Sequence, residues 1–143
     1  MIKTPEYQIR VKTARKSCFD YEVNFAGGRT GNAQIIFFPI SIFGYTKFYN
    51  HLLKEGLKTY SVFTFISSFY PNGDLNDKDG KNTLLMRHGV GSAVLELMIK
   101  DSTEYGADAI YGSTASRSMA KFLKEKNGFT AYDDQRFYKL VKA

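Results

Sequence analysis

Thr83-Leu84-Leu85-Met86-Arg87-His88-Gly89-Val90-Gly91-Ser92-Ala93 is the stretch on which the reading of this chain turns. A strand and a loop lead into it, and an amphipathic helix leads out. Gly89 and Gly91 lack a Cβ, so the backbone can turn sharply there and let a ligand come close. The first amides of a helix have no partner within the helix and lie at the positive end of its dipole. A turn at Met86–Ser92 that opens a helix is therefore a cradle for a diphosphate, and Arg87 and His88 can add side-chain donors. Alone, Gly-x-Gly is equally explained by close helix–sheet packing. The dinucleotide fingerprint Gly-x-Gly-x-x-Gly fails at Val94, and the Gly-Lys-Ser/Thr of a nucleotide-triphosphate loop is absent.

Downstream, Val90, Ala93, Val94, Leu97 and Met98 make a helical stripe that ends near Tyr105-Gly106. Ala107–Tyr111 reads as a strand. Ser116 caps a second helix carrying Met119, Ala120, Phe122 and Leu123, and Asn127-Gly128 ends it. Phe129–Tyr132 and Arg136–Val141 read as two strands joined by the Asp133-Asp134 turn. A strand–helix–strand unit implies a parallel pair, and the short terminal connection implies an antiparallel one. The expected fold is α/β in the α+β sense: a single domain over 1–143 with a mixed sheet flanked by helices.

Upstream, Tyr7–Val11 and Cys18–Phe25 alternate as strands, and Ala26–Asn32 has the composition of a turn. Ile35–Phe38 is a short apolar run halted by Pro39. Tyr45, Phe48, Tyr49, Leu52 and Leu53 fall on one helix face, with Thr46 as N-cap and Gly56 as terminator. Tyr60–Phe69 reads as a central strand. Pro71–Asn82 is a long polar loop. A calcium loop beginning at Asp74 would place Lys78 and Asp79 where an oxygen ligand and a glycine are needed, so that reading fails.

The bulk numbers narrow the class. A chain of 143 residues with 43% hydrophobic and 24% charged residues can bury a core, and 12 Phe with 10 Tyr make that core ring-rich. No run approaches a membrane span, and no secretory leader is read, so a cytoplasmic protein without a membrane partner is expected. One cysteine, Cys18, excludes an internal disulfide and a multi-cysteine metal site, and no metal is expected. The net charge of +6 suits an anionic partner, but the basic residues are scattered. Arg136-Phe137-Tyr138-Lys139 is the one stretch suited to a nucleic-acid platform, and an alternating edge strand explains it equally well.

Two segments together point further. Met86–Ala93 resembles the Gln/Arg-x-x-Gly-x-Gly/Ala signature of the GCN5-related N-acetyltransferase superfamily. Ser113–Phe129 is similar to that family's second motif, in which Asn-x-x-Ala is followed by an aromatic residue, Glu/Lys and Gly-Phe. The resemblance covers 60–143, an acyl-CoA-binding half, and leaves 1–59 as a variable half. It implies binding of acetyl-CoA, with no metal, and direct acyl transfer to a primary amine of a small molecule or protein. Cofactor contacts would fall on Phe69, Tyr70, Met86, Arg87, His88, Gly89, Val90, Gly91, Ser92, Ser116 and Arg117. Self-association as a homodimer stays open. Three positions depart from the pattern: Met86 replaces the opening Gln/Arg, Arg117 the Asn, and Lys124 the general-acid Tyr.

Such a transfer needs an oxyanion donor, implied at the backbone around Phe69-Tyr70. It also needs a proton donor for the leaving thiolate. With Lys124 in place of Tyr, the candidates are Tyr111, at the end of a strand, and Lys124, provided burial makes it give up its proton. His88 reads as a phosphate contact, and His51 as a solvated residue on a helix flank. A catalytically inactive module of the same fold that holds coenzyme A or another anion is the alternative, and a basic nucleic-acid-binding domain is the second.

Overall fold

The computed structural model describes residues 6–15, 17–26, 28, 30–44, 46–71, 89–114 and 116–141. In chain order the elements are β1 (Tyr7–Arg15), β2 (Cys18–Phe25), β3 (Thr30–Pro39), a 3₁₀ turn (Ile40–Phe43), α1 (Lys47–Lys54) and β4 (Val62–Tyr70). They continue with α2 (Val90–Tyr105), β5 (Ala109–Ser113), α3 (Arg117–Lys121), a π-helical turn (Phe122–Lys126), β6 (Thr130–Ala131) and β7 (Arg136–Leu140). The strands form one open mixed sheet in the order β1-β2-β3-β4-β5-β7-β6. The fold is α+β, as the patterning predicts. The chain divides into two compact units: Met1–Ile35 with Ser67–Met98, and Ile36–Ile66 with Ile99–Ala143.

In the first unit, β1 and β2 pair antiparallel from Tyr7↔Phe25 to Arg15↔Cys18, with an irregularity between Thr13 and Arg15. Alternate side chains of β2 (Tyr21, Val23, Phe25) and β3 (Ala33, Ile35) are buried, as period-two patterning requires. Val90, Val94, Leu95 and Met98 on α2 are buried in this unit as well. The apparent turn at Ala26–Asn32 ends sooner than its composition suggests, because β3 already begins at Thr30. Gly31 has a different use. A Cβ there would overlap the backbone of Tyr70 and Pro71, so the glycine permits a close approach of two extended chains.

The second unit is built on aromatic packing. Thr46 caps α1, its Oγ1 accepting from the Tyr49 N–H at 3.2 Å. Phe48, Tyr49 and Leu52 are buried on one helix face, and each large side chain so buried contributes about 1.5–3 kcal/mol. Gly56 ends the helix at φ +107°, with the Gly56 N–H on the Leu53 carbonyl and the Leu57 N–H on the Leu52 carbonyl, both 3.1 Å. This face joins Ile40, Leu57, Phe63, Ala109, Tyr111 and Tyr138 in one apolar cluster.

β4 and β5 run parallel, with Phe63↔Ala109, Thr64↔Ile110 and Phe65↔Tyr111 in register. The crossover through α2 makes this pairing natural. β5 begins two residues later than the sequence suggests. The Ala107 N–H closes the end of α2 on the Ser102 carbonyl at 2.9 Å, and the Asp108 N–H bonds the Val62 carbonyl at 2.8 Å. β6 is also shorter than its pattern, because Asp133 turns the chain: its Oδ1 accepts from the Gln135 and Arg136 N–H groups at 3.0 and 2.8 Å. β7 pairs antiparallel with both β5 and β6, so it is an interior strand and not the edge strand its alternation suggested. No helix among the described residues is long and apolar enough to cross a membrane.

Candidate functional site

Met86, Arg87 and His88 lie outside the described residues, as does the loop over 72–82. The described part of the expected phosphate turn begins at Gly89, whose φ is +75°. Only glycine adopts that conformation at little cost. Its carbonyl accepts the Ala93 N–H at 3.0 Å, which is the first bond of the α2 helix. The amides of Val90, Gly91 and Ser92 come before that bond and have no acceptor within the helix. Among the described residues nothing lies within 4 Å of where a Gly89 Cβ would stand. Val90 and Gly91 are buried and Ser92 half-buried, so the helix start is fixed by packing. Phe69 and Tyr70 end β4 in the same unit, the first half-buried and the second exposed.

The other predicted residues belong to the second unit. Ser116 is the N-cap of α3, its Oγ accepting from the Met119 N–H at 3.3 Å and lying 3.0 Å from the Ser118 Oγ. Arg117 is the exposed first residue of that five-residue helix. The helix then widens to a π turn, closed by the Asn127 side chain on the Phe122 carbonyl at 2.8 Å and by Gly128 at φ +73°. Lys124 is exposed on this turn, without the burial that proton loss demands.

Tyr111 is 8% exposed. Its ring stacks on Phe65 at 5.5 Å and meets Phe48 and Phe43 at 5.4 and 5.6 Å. Burial pushes its hydroxyl above the ordinary tyrosine value, while a hydrogen bond to Ser113 pulls the other way. A tyrosine so placed holds its proton near neutral pH.

One constellation in this unit escaped the sequence reading. His51 is half-buried on its helix flank, and its Nε2 lies 2.7 Å from the Tyr138 hydroxyl, which donates to Glu55 Oε1 at 3.2 Å. Burial first, and Glu55 second, push the Tyr138 hydroxyl up to about 12. Beside it, the Arg136 guanidinium stands 4.7 Å over the Tyr132 ring and 5.7 Å from the Phe48 ring. Its Nε donates to Asp133 Oδ2 at 2.7 Å. Their shared hydrogen bond holds the Asp133 carboxyl below its ordinary range and the Arg136 guanidinium above its own. The His51/Glu55 spacing was visible on the helix, but nothing in the sequence named Tyr138 as their partner.

In the first unit, a concavity of about 330 Å³ is bordered by Lys12, Asp20, Glu22, Asn32, Gln34 and Ser68. It holds none of the predicted site residues. Its polar groups already serve one another: Gln34 donates to Asp20 at 2.7 Å, and Lys12 stands 3.6 Å from Glu22. Phe137 and Tyr138 are both 3% exposed, so the stretch suited to a nucleic-acid platform offers no free ring there. Among the described residues no group of three His, Cys, Asp or Glu side chains is placed to hold a metal ion. No protein-family model and no curated protein matches the chain.

Proposed function

We propose that this chain is an acyl-CoA-dependent N-acetyltransferase of the GCN5-related type, moving an acetyl group from acetyl-CoA to a primary amine by direct attack. The observation that carries the reading is the start of α2. Gly89 sits in the left-handed region, and no described residue lies within 4 Å of where its Cβ would stand. It opens a sixteen-residue helix at the position the family signature reserves for its phosphate turn. The strand–helix–parallel strand unit and the antiparallel terminal pair support it further.

In this reading the amides of Val90, Gly91 and Ser92 bind the diphosphate, and the backbone at Phe69-Tyr70 holds the developing oxyanion. Tyr111 returns a proton to the leaving thiolate. The acceptor is a small-molecule or protein amine, the protein is cytoplasmic, and Ser116 and Arg117 border the cofactor. The exposure of Lys124, where the family carries its tyrosine acid, favours one competing reading: a module of the same fold that holds coenzyme A and transfers nothing.

The experiment that separates these is thiol release from acetyl-CoA across a panel of primary amines, run beside calorimetric binding of acetyl-CoA. Binding with amine-dependent thiol release is the expected result. Binding with silence across the panel supports the holding module, and absence of binding removes both.

A further inference from the structure

Transfer to an amine requires that the acceptor ammonium first lose a proton, and among the described residues of the phosphate turn, Gly89 to Ser92, none has a side chain that can take it. We propose that His51 is the base that takes this proton, on its Nδ1, with Tyr138 and Glu55 fixing the ring from the other side. The assignment rests on the acyltransferase reading above and names the residue that its chemistry lacks.

The tautomer follows from donor counting. The Tyr138 hydroxyl has one proton, and it donates that proton to Glu55 Oε1, which as a carboxylate can only accept. The 2.7 Å contact between Tyr138 and His51 Nε2 is then filled by the ring N–H, with the phenol oxygen accepting. Glu55 Oε1, 3.5 Å from the same nitrogen, favours a proton there as well. The opposite tautomer would turn the Nε2 lone pair toward the carboxylate and leave Glu55 without its donor. With Nε2 protonated, Nδ1 carries the free lone pair, and among the described residues nothing bonds to it.

The surroundings suit a base. The His51 side chain is 35% exposed, so a substrate nitrogen can reach it. The Tyr132 ring flanks it at 5.1 Å and Tyr138 at 5.5 Å, fixing the plane of the imidazole. The titratable and charged groups packed around it are Glu55 on its own helix, Tyr138 on β7, and Tyr132 in the β6–β7 turn, with Arg136 held over Tyr132 by Asp133. Tyr138 is also the direct cross-strand partner of Tyr111, the proposed acid, and the Phe48 ring contacts both. Base and acid thus share one aromatic cluster. A base oriented by a hydrogen-bonded acceptor behind it is the arrangement that nucleophile activation generally uses. The step balances: one ammonium N–H bond breaks and Nδ1 gains that proton, the freed electron pair forms the C–N bond as the thioester C–S bond breaks, and the second proton lost by the nitrogen replaces the one Tyr111 gives to the leaving thiolate. Glu55 and Tyr138 are positioning residues and meet no substrate.

Two readouts test this. In nitrogen NMR of ¹⁵N-histidine protein, with His88→Gln to assign the two rings, His51 is expected as the Nε2–H tautomer, shifting toward a mixture in Tyr138→Phe. In the amine panel, His51→Gln is expected to lose about a hundredfold or more in kcat/KM, the usual reach of general-base catalysis. It should also lose the fall in rate toward acid pH, with acetyl-CoA affinity by calorimetry unchanged. An Nδ1–H tautomer overturns the assignment whatever the activity. A wild type that transfers acetyl with His51→Gln matching its rate and pH profile overturns this assignment alone and leaves the acyltransferase reading standing. A wild type that transfers to no amine removes both together.

Discussion

At the residue scale, most of the outcome depends on where single polar atoms find partners. The Tyr138 hydroxyl links His51 and Glu55 across 87 and 83 residues of sequence, which is why no local pattern announced it. Tyr138→Phe is expected to destabilise the protein by about 1–2 kcal/mol in urea denaturation, the cost of one buried hydrogen-bonded group. The hydroxyl also sets a pH dependence. Its folded value of about 12 exceeds the ordinary 10 of an unfolded tyrosine, so its contribution is full below about pH 10 and is lost as pH rises toward 12. Wild type should therefore lose more urea stability than Tyr138→Phe between about pH 9 and 11. Thr64 is the opposite case. It is fully buried, and its Oγ1 has no hydrogen-bond partner among the described residues. Thr64→Val removes that stranded oxygen and is expected to stabilise by about 1 kcal/mol in the same assay. The sequence placed Thr64 in a central strand but could not show that its hydroxyl would go unpaired.

At the element scale, the helices and strands were legible where periodicity and caps agree. Thr46 and Gly56 bracket α1, and Ser116 opens α3, because capping chemistry is local. Boundaries moved where a distant partner competes for the backbone, as at Ala107 and Asp108. Gly31 was misread because glycine marks a turn and a close approach alike. Gly31→Ala should cost at least about 2 kcal/mol, since its methyl group would meet backbone and not a movable side chain, and denaturant midpoints check it. Gly89 behaves differently. Its added Cβ meets none of the described residues, and its positive φ resists substitution. Gly89→Ala should cost about 1 kcal/mol of stability and leave the anion site open. Gly89→Glu carries the same backbone strain and adds a carboxylate where a diphosphate is proposed to bind. The pair separates strain from site.

At the scale of the whole molecule, the mixed sheet follows from a strand–helix–strand unit and a terminal hairpin, both legible in the sequence. The N-terminal half, with its hairpin strands, 3₁₀ turn and single helix, lies outside the resemblance and was legible only from local patterning. The proposed base is unreadable for a related reason: His51 on α1 and Tyr138 on β7 meet from far apart in sequence. The net charge of +6 is compatible with an anionic cofactor but does not single one out. What the fold contributes is a long helix whose first amides follow a left-handed glycine, and the coenzyme A claim rests there. Calorimetry of acetyl-CoA against wild type, Gly89→Ala and Gly89→Glu tests it most directly. Saturable binding to wild type, retained by Gly89→Ala and abolished by Gly89→Glu, is the predicted result. A wild type that does not bind, or a Gly89→Glu protein that binds as tightly as wild type, contradicts it.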